Sequence, residues 1–276
     1  MSQIATDIDA AFEALVERFH AARLQRHPTW GTVLGRHEHD AALEDFTLAG
    51  LAEEVAELKD LRLEFEEFDR YALSPVHAAD LEWILATISG VIDTATVSRP
   101  LERNPDAYTS GLTESAFTLI YRDFAPLPER ARALVARMKV MPGVLAEAER
   151  NLLAPPRVYT EIALEQIEGN RAFFETTVAE AFEALDDQAL RAEIDAARAA
   201  VLVAFDRYEA FLREQVLPCS APEFAIGADA FLRKLYHDEL VELPLETLLT
   251  IGWADLKANQ AELRELAGAI DPSKPV

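Results

Sequence analysis

The chain has 276 residues, 50% of them hydrophobic and 27% charged, which is the composition of a soluble globular protein. With 49 acidic against 26 basic residues its formal charge is −23, a surface that repels phosphate backbones and anionic lipid, so neither nucleic acid nor membrane is expected as a partner. A single cysteine, Cys219, rules out an internal disulfide and any zinc cluster built on cysteines. The N-terminus is charged and amphipathic, without the apolar core of a secretion signal or the arginine-rich pattern of a transit peptide, so a cytoplasmic location is expected.

The periodicity is helical almost throughout. Ile8, Phe12, Leu15, Phe19 and Ala22 recur at steps of three and four, which predicts a first helix ending before His27-Pro28. Thr47 is placed to cap a second, with Leu51, Val55, Leu58, Leu61, Phe65 and Phe68 on one face. Ser74-Pro75 reads as a third start, a hydroxyl cap followed by proline at the first helical position. The helix behind it holds Trp83, Ile84, Ile88, Val91 and Ile92 and is apolar enough to lie centrally.

Prolines then punctuate the chain. Short helices are expected over 114–124 and 129–141, and Pro142 is expected to break or sharply kink the next helical stretch. The longest element spans about 187–216, where Leu190, Ile194, Ala197, Val201, Ala204, Tyr208 and Phe211 keep the helical step. At 1.5 Å per residue that is roughly 45 Å of helix. A shorter helix is expected around 231–236. A last one opens at Leu243-Pro244, with Leu248, Leu249, Gly252, Leu256, Leu263 and Leu266 on its buried face. No comparable run alternates with period two. The expected fold is therefore all-α, a bundle-like array of long amphipathic helices, read as one domain over 1–276 with a linker-like end at 271–276.

Catalytic signatures are sparse. No His-Glu-x-x-His pair occurs among the six histidines, and the nearest cluster, "GRHEHD", places His37 and His39 two apart, on different sides of a helix. Glu17-x-x-His20 fits a di-iron pair once, without the second copy such a site needs. The serine-hydrolase elbow, the phosphate loop and the dinucleotide turn are absent. In "TLIYRDFAPL", Tyr121, Arg122 and Asp123 close a helix, with Tyr121 and Phe124 expected to pack inward.

The best remaining stretch is "NLLAPPRVYTEIALEQIEGNRAFFE". Thr160 is placed to cap its helix, and Glu161, Glu165 and Glu168 share one face at steps of four and three. Two readings stand. One is an exposed acidic stripe, its repulsion relieved by Arg157 or Arg171. The other is a polar cleft wall made by Arg157, Tyr159, Glu161, Glu165 and Asn170.

That stretch, with "HPTWGTVLGRHEHDAAL" before it and "FAIGADAFLRKLYHDELVELPLETLLTIGWADL" after it, resembles the bacterial domain-of-unknown-function family 885, over about 12–268. Members of that family look like zincin-type metallopeptidases, largely helical and about twice this length, with the histidine-glutamate metal motif in the C-terminal half. The resemblance implies that this chain corresponds to the N-terminal helical half: a scaffold and cleft wall with no catalytic or metal-binding residue of its own. Zinc is then expected only in a full-length member. A peptide or small molecule is the implied ligand, and the C-terminal half or a second copy is the implied partner, covering an apolar face around Trp253 and Leu256. A self-contained all-α binding or interaction module is the alternative.

Overall fold

The structure, a computed structural model, describes residues 2–271. Two compact units divide it, Met1–Ala225 and Ile226–Val276. Apart from Asp271, the expected linker-like end lies outside the described residues.

The first unit contains helices α1 (Ser2–Arg26), α2 (Pro28–Val33), α3 (Leu48–Glu66), α4 (Pro75–Asp93), α5 (Pro100–Arg103), α6 (Asp106–Ile120), α7 (Leu127–Asn151), α8 (Arg157–Ala172), α9 (Val178–Ala181) and α10 (Gln188–Phe211). Among the described residues there is no strand, only a single bridge between Pro156 and Ala221. The fold is all-α. Two apolar clusters hold it together. One joins α1, α3 and α4 through Phe12, Phe19, Leu61, Phe65, Ile84 and Ile88, with Phe65 edge-on to both Phe12 (5.9 Å) and Phe19 (6.1 Å). The larger joins α6, α7, α8 and α10 around Leu112, Met138, Met141, Ile167, Phe205 and Tyr208.

Local chemistry sets most of the boundaries. The Thr47 hydroxyl accepts from Gly50 N at 3.0 Å, Ser74 from His77 N at 3.3 Å and Asp187 from Leu190 N at 3.0 Å. Two expectations are corrected here. Pro142 does not end its helix: α7 continues from Leu127 to Asn151. The buried Met138, Met141 and Leu145 flank the proline, and tertiary packing outweighs the one lost amide. Nor does Thr160 cap α8. The helix starts at Arg157, whose amide donates to Ala221 O at 2.8 Å, so a tertiary carbonyl serves its first turn. Thr160 lies inside, fully buried against the Ser220 hydroxyl at 3.0 Å. The helix over 187–216 is found as α10 running into a π-helical turn, Leu212–Val216.

The start of α4 is clasped to α1 by charge. His77 Nδ1 lies 3.0 Å from Asp9 Oδ1, though off the bonding direction, and Nε2 lies 3.3 Å from Glu13 Oε1. The Asp9 carboxylate beside the ring, with the charges of Glu13 and Asp80, holds the imidazole above its ordinary value against the cost of burial. A group with a raised folded pKa stabilises the fold fully below its unfolded pKa, about 6.5 for histidine, and loses that contribution as pH rises through the folded value. The melting temperature should therefore fall on passing from pH 6 to pH 8, and His77→Gln should flatten that fall. An unaltered pH slope in the variant would mean that no such clasp operates.

The second unit contains α11 (Ala228–Glu239) and α12 (Leu245–Ile270). Neither buries a residue. This corrects the expected buried face of the last helix: Leu249, Leu263 and Leu266 are all more than half exposed, as is Trp253.

Candidate functional site

Helices α1, α2, α4 and α6 enclose a groove of about 550 Å³. Helical spacing delivers its walls: Phe19, His20, Arg23 and His27 from α1 and its end, Trp30 and Val33 from α2, Trp83 and Thr87 from α4, Gly111 and Glu114 from α6. The strap between α2 and α3 adds Glu44 and Phe46. Both tryptophans present their rings to solvent, Trp30 at 41% and Trp83 at 53% exposure. Large, exposed indoles in a concave wall with a few polar and charged groups among them are the usual material of a binding site.

His27 sits where α1 gives way to α2, and its Nε2 is held between two ions. It lies 2.7 Å from Glu54 Oε1 and 2.9 Å from Arg23 Nη1, while Arg23 itself donates to Glu54. A protonated Nε2 donates to the carboxylate, and a bare one accepts from the guanidinium, so the ring has a partner in either state. Burial pushes the Glu54 carboxyl up, but the hydrogen bond and charge of His27 and the charges of Arg23 and Arg26 outweigh it and hold Glu54 below the usual range. Burial lowers the Arg23 pKa in turn, partly offset by Glu54. Beyond His27 a second hollow, of about 500 Å³, shares His27, Glu44 and Phe46 with the first and carries the Arg26–Glu57 pair at 2.6 Å.

The strap is fixed from beneath by Arg137 on α7, whose side chain is fully buried. Its Nε donates to Ala42 O (2.8 Å), Nη1 to Ser115 O (2.6 Å) and Nη2 to the Thr32 hydroxyl (2.9 Å). The Thr32 hydroxyl in turn donates to Asp40 Oδ1 at 2.7 Å. Glu44 receives both the amide and the hydroxyl of Thr29 at 2.8 Å, placing a carboxylate on the first turn of α2. Asn151 donates to Phe46 O at 2.9 Å. Ala42, Glu44 and Phe46 are thereby pinned in succession, and two of them face the groove.

The residues singled out in α8 lie elsewhere. Arg157 donates to Glu161 at 2.8 Å, both exposed. Glu165 is exposed, Tyr159 half-buried, and half-buried Asn170 reaches the Ser110 hydroxyl at 3.4 Å. None lines the groove. Arg171 turns to α10, pairing with Asp206 (2.7 Å) and Glu209 (2.8 Å). In "GRHEHD", His37 stacks on Phe124 at 4.0 Å and meets Asp40 at 3.0 Å, while His39 is exposed. Among the described residues no three His, Cys, Asp or Glu side chains are grouped to hold a metal ion. Tyr121, expected to pack inward, is 68% exposed and stacks on Phe117. On the helix expected to lie centrally, Ile84, Ile88 and Ile92 are buried while Trp83 lies on the open side.

The family of bacterial proteins of unknown function DUF885 matches the sequence over residues 28–275. The chain belongs to this family. No curated protein matches it. Among solved structures, this DUF885 chain is similar to "a putative lipoprotein of unknown function" from Shewanella oneidensis, with a TM-score of 0.78 and 23% identity, over 96% of this chain and 49% of the other. At that identity the likeness speaks for the fold alone, and the chain spans about half the length of that protein. Among the described residues no helix is long and apolar enough to cross a membrane.

Proposed function

We propose that this chain is the cleft-forming helical scaffold of a zinc-dependent, peptidase-like protein, binding a peptide in the α1–α2–α4–α6 groove but not cleaving it alone. The observation that carries the binding part is the groove itself, with two open indoles and the part-buried Arg23 and His27, both held by Glu54, in its lining. The peptidase part rests on the family resemblance. The side chains described do not suit zinc, since His37 is engaged with Phe124 and Asp40 and, among the described residues, no three His, Cys, Asp or Glu side chains are grouped to hold a metal ion. The metal and the catalytic base are therefore assigned to residues outside this chain. Elemental analysis of the purified 276-residue protein should find no stoichiometric zinc, and peptide substrates should survive incubation with it. One zinc per chain lost on replacing His37 and His39, or hydrolysis by this chain alone, contradicts the proposal.

The exposed apolar side chains of α12 support the further reading that this helix is covered in the working protein, by the other half of a longer chain or by a second copy. Isolated chains should bind a hydrophobic dye and self-associate with rising concentration, and Trp253→Glu with Leu256→Glu should suppress both. A monomeric, dye-negative profile at high concentration would count against a covered α12. A stand-alone binding module is the second reading, favoured by both apolar clusters being closed within Met1–Ala225.

A further inference from the structure

Charge inside the groove is unevenly committed. Arg23 and His27 are engaged with Glu54, and both oxygens of Glu44 are taken by Thr29. Glu114 is different: it is exposed, lines the groove from α6, and makes no ion pair or hydrogen bond among the described residues. The same groove holds the open rings of Trp30 and Trp83. An indole face attracts a cation through its quadrupole, and a nearby uncommitted carboxylate adds a counter-charge. A molecule of net charge −23 adds long-range attraction for the same sign.

We propose that the groove recognises a basic side chain of its peptide ligand, lysine or arginine, through the indoles of Trp30 and Trp83 and the carboxylate of Glu114. The proposal names the ligand class for the peptide-binding reading above and rests on it. Glu44 then belongs to the wall, since Thr29 already satisfies it. His20, whose ring lies 5.4 Å from that of Phe19, closes the α1 side.

The test uses intrinsic fluorescence of the full chain carrying Trp253→Phe, so that Trp30 and Trp83 are the only reporters. Three capped pentapeptides, identical except for a central lysine, norleucine or glutamate, are titrated at low salt. The lysine peptide should bind about tenfold tighter than the norleucine peptide, the effect of one partly desolvated cation–π contact with its counter-charge. The glutamate peptide should bind weakest. Glu114→Gln should bring the lysine peptide close to the norleucine one, and Trp83→Ala should weaken it further, both being changes at exposed positions. Equal binding of lysine and norleucine peptides overturns the cation assignment and leaves the peptide-binding reading standing. No fluorescence change with any of the three overturns both.

Discussion

Replacing Arg137 by methionine should destabilise the protein by about 3 kcal/mol, because three hydrogen bonds of a fully buried guanidinium are lost at once and each contributes on the order of 1 kcal/mol. Their acceptors are Ala42 O, Ser115 O and the Thr32 hydroxyl. A hydrophobic isostere can improve on a buried ion pair when both partners are removed. Here the partners are backbone carbonyls and a hydroxyl, so desolvation is recovered only for the guanidinium, whose pKa burial already lowers. Arg137→Lys should not restore the loss, since an ammonium cannot reproduce the planar fork that reaches three directions. The midpoint of urea unfolding reads the effect, with both variants well below wild type. The methionine variant should also bind peptide more weakly, since Ala42 anchors the strap carrying Glu44 and Phe46. A variant within about 1 kcal/mol of wild type, the worth of a single ordinary hydrogen bond, would mean that Arg137 is not what holds the strap.

Glu54→Ala should cost about 2 kcal/mol at pH 7, less than the roughly 3–5 kcal/mol of breaking a fully buried pair, because the side chains it abandons retain some water. Arg23 keeps 17% of its side-chain surface and His27 keeps 30%. The pH dependence separates this pair from a simple packing loss. Glu54 is held below its ordinary range, so its contribution is present above the unfolded glutamate value of about 4.3 and disappears as pH falls through the lower folded value. Wild type should lose stability through that acid window, and Glu54→Gln should lose less. Parallel acid limbs in the two proteins would contradict the assignment.

The fold was legible in the sequence because helix starts are local chemistry. Thr47 and Ser74 cap as their hydroxyl groups predict, and the apolar steps of α3 and α10 name the faces that are buried. What failed was what depends on distant partners. Thr160 looked like a cap because nothing in sequence announces that Ala221 would supply the carbonyl for the first turn of α8. Pro142 looked like a break because the packing of Met138 and Met141 is not a local property. The last helix carries a clean apolar face, and sequence pattern alone cannot tell a face that is covered from one that waits for cover.

The groove escaped for a related reason. Its side chains come from four helices and a strap, each contributing a few residues whose neighbours in sequence are unremarkable. Trp83 reads as one more apolar residue in α4, His20 as half of an unmatched Glu-x-x-His pair and His27 as a helix end. The signal that could have found it was two tryptophans and two histidines on helices expected to meet. In the acidic run of α8, Glu161 pairs locally with Arg157 and Glu165 is exposed, and neither lines this groove.

The chain has three tryptophans, two in the groove and one in α12, so the indole N–H signals of an NMR titration report directly on where a ligand settles. On addition of the lysine pentapeptide, the Trp30 and Trp83 indole signals should move together with one dissociation constant while that of Trp253 stays still. Movement of Trp253 alone, or shifts confined to the amides of Arg157, Glu161 and Glu165, would contradict the groove as the binding site.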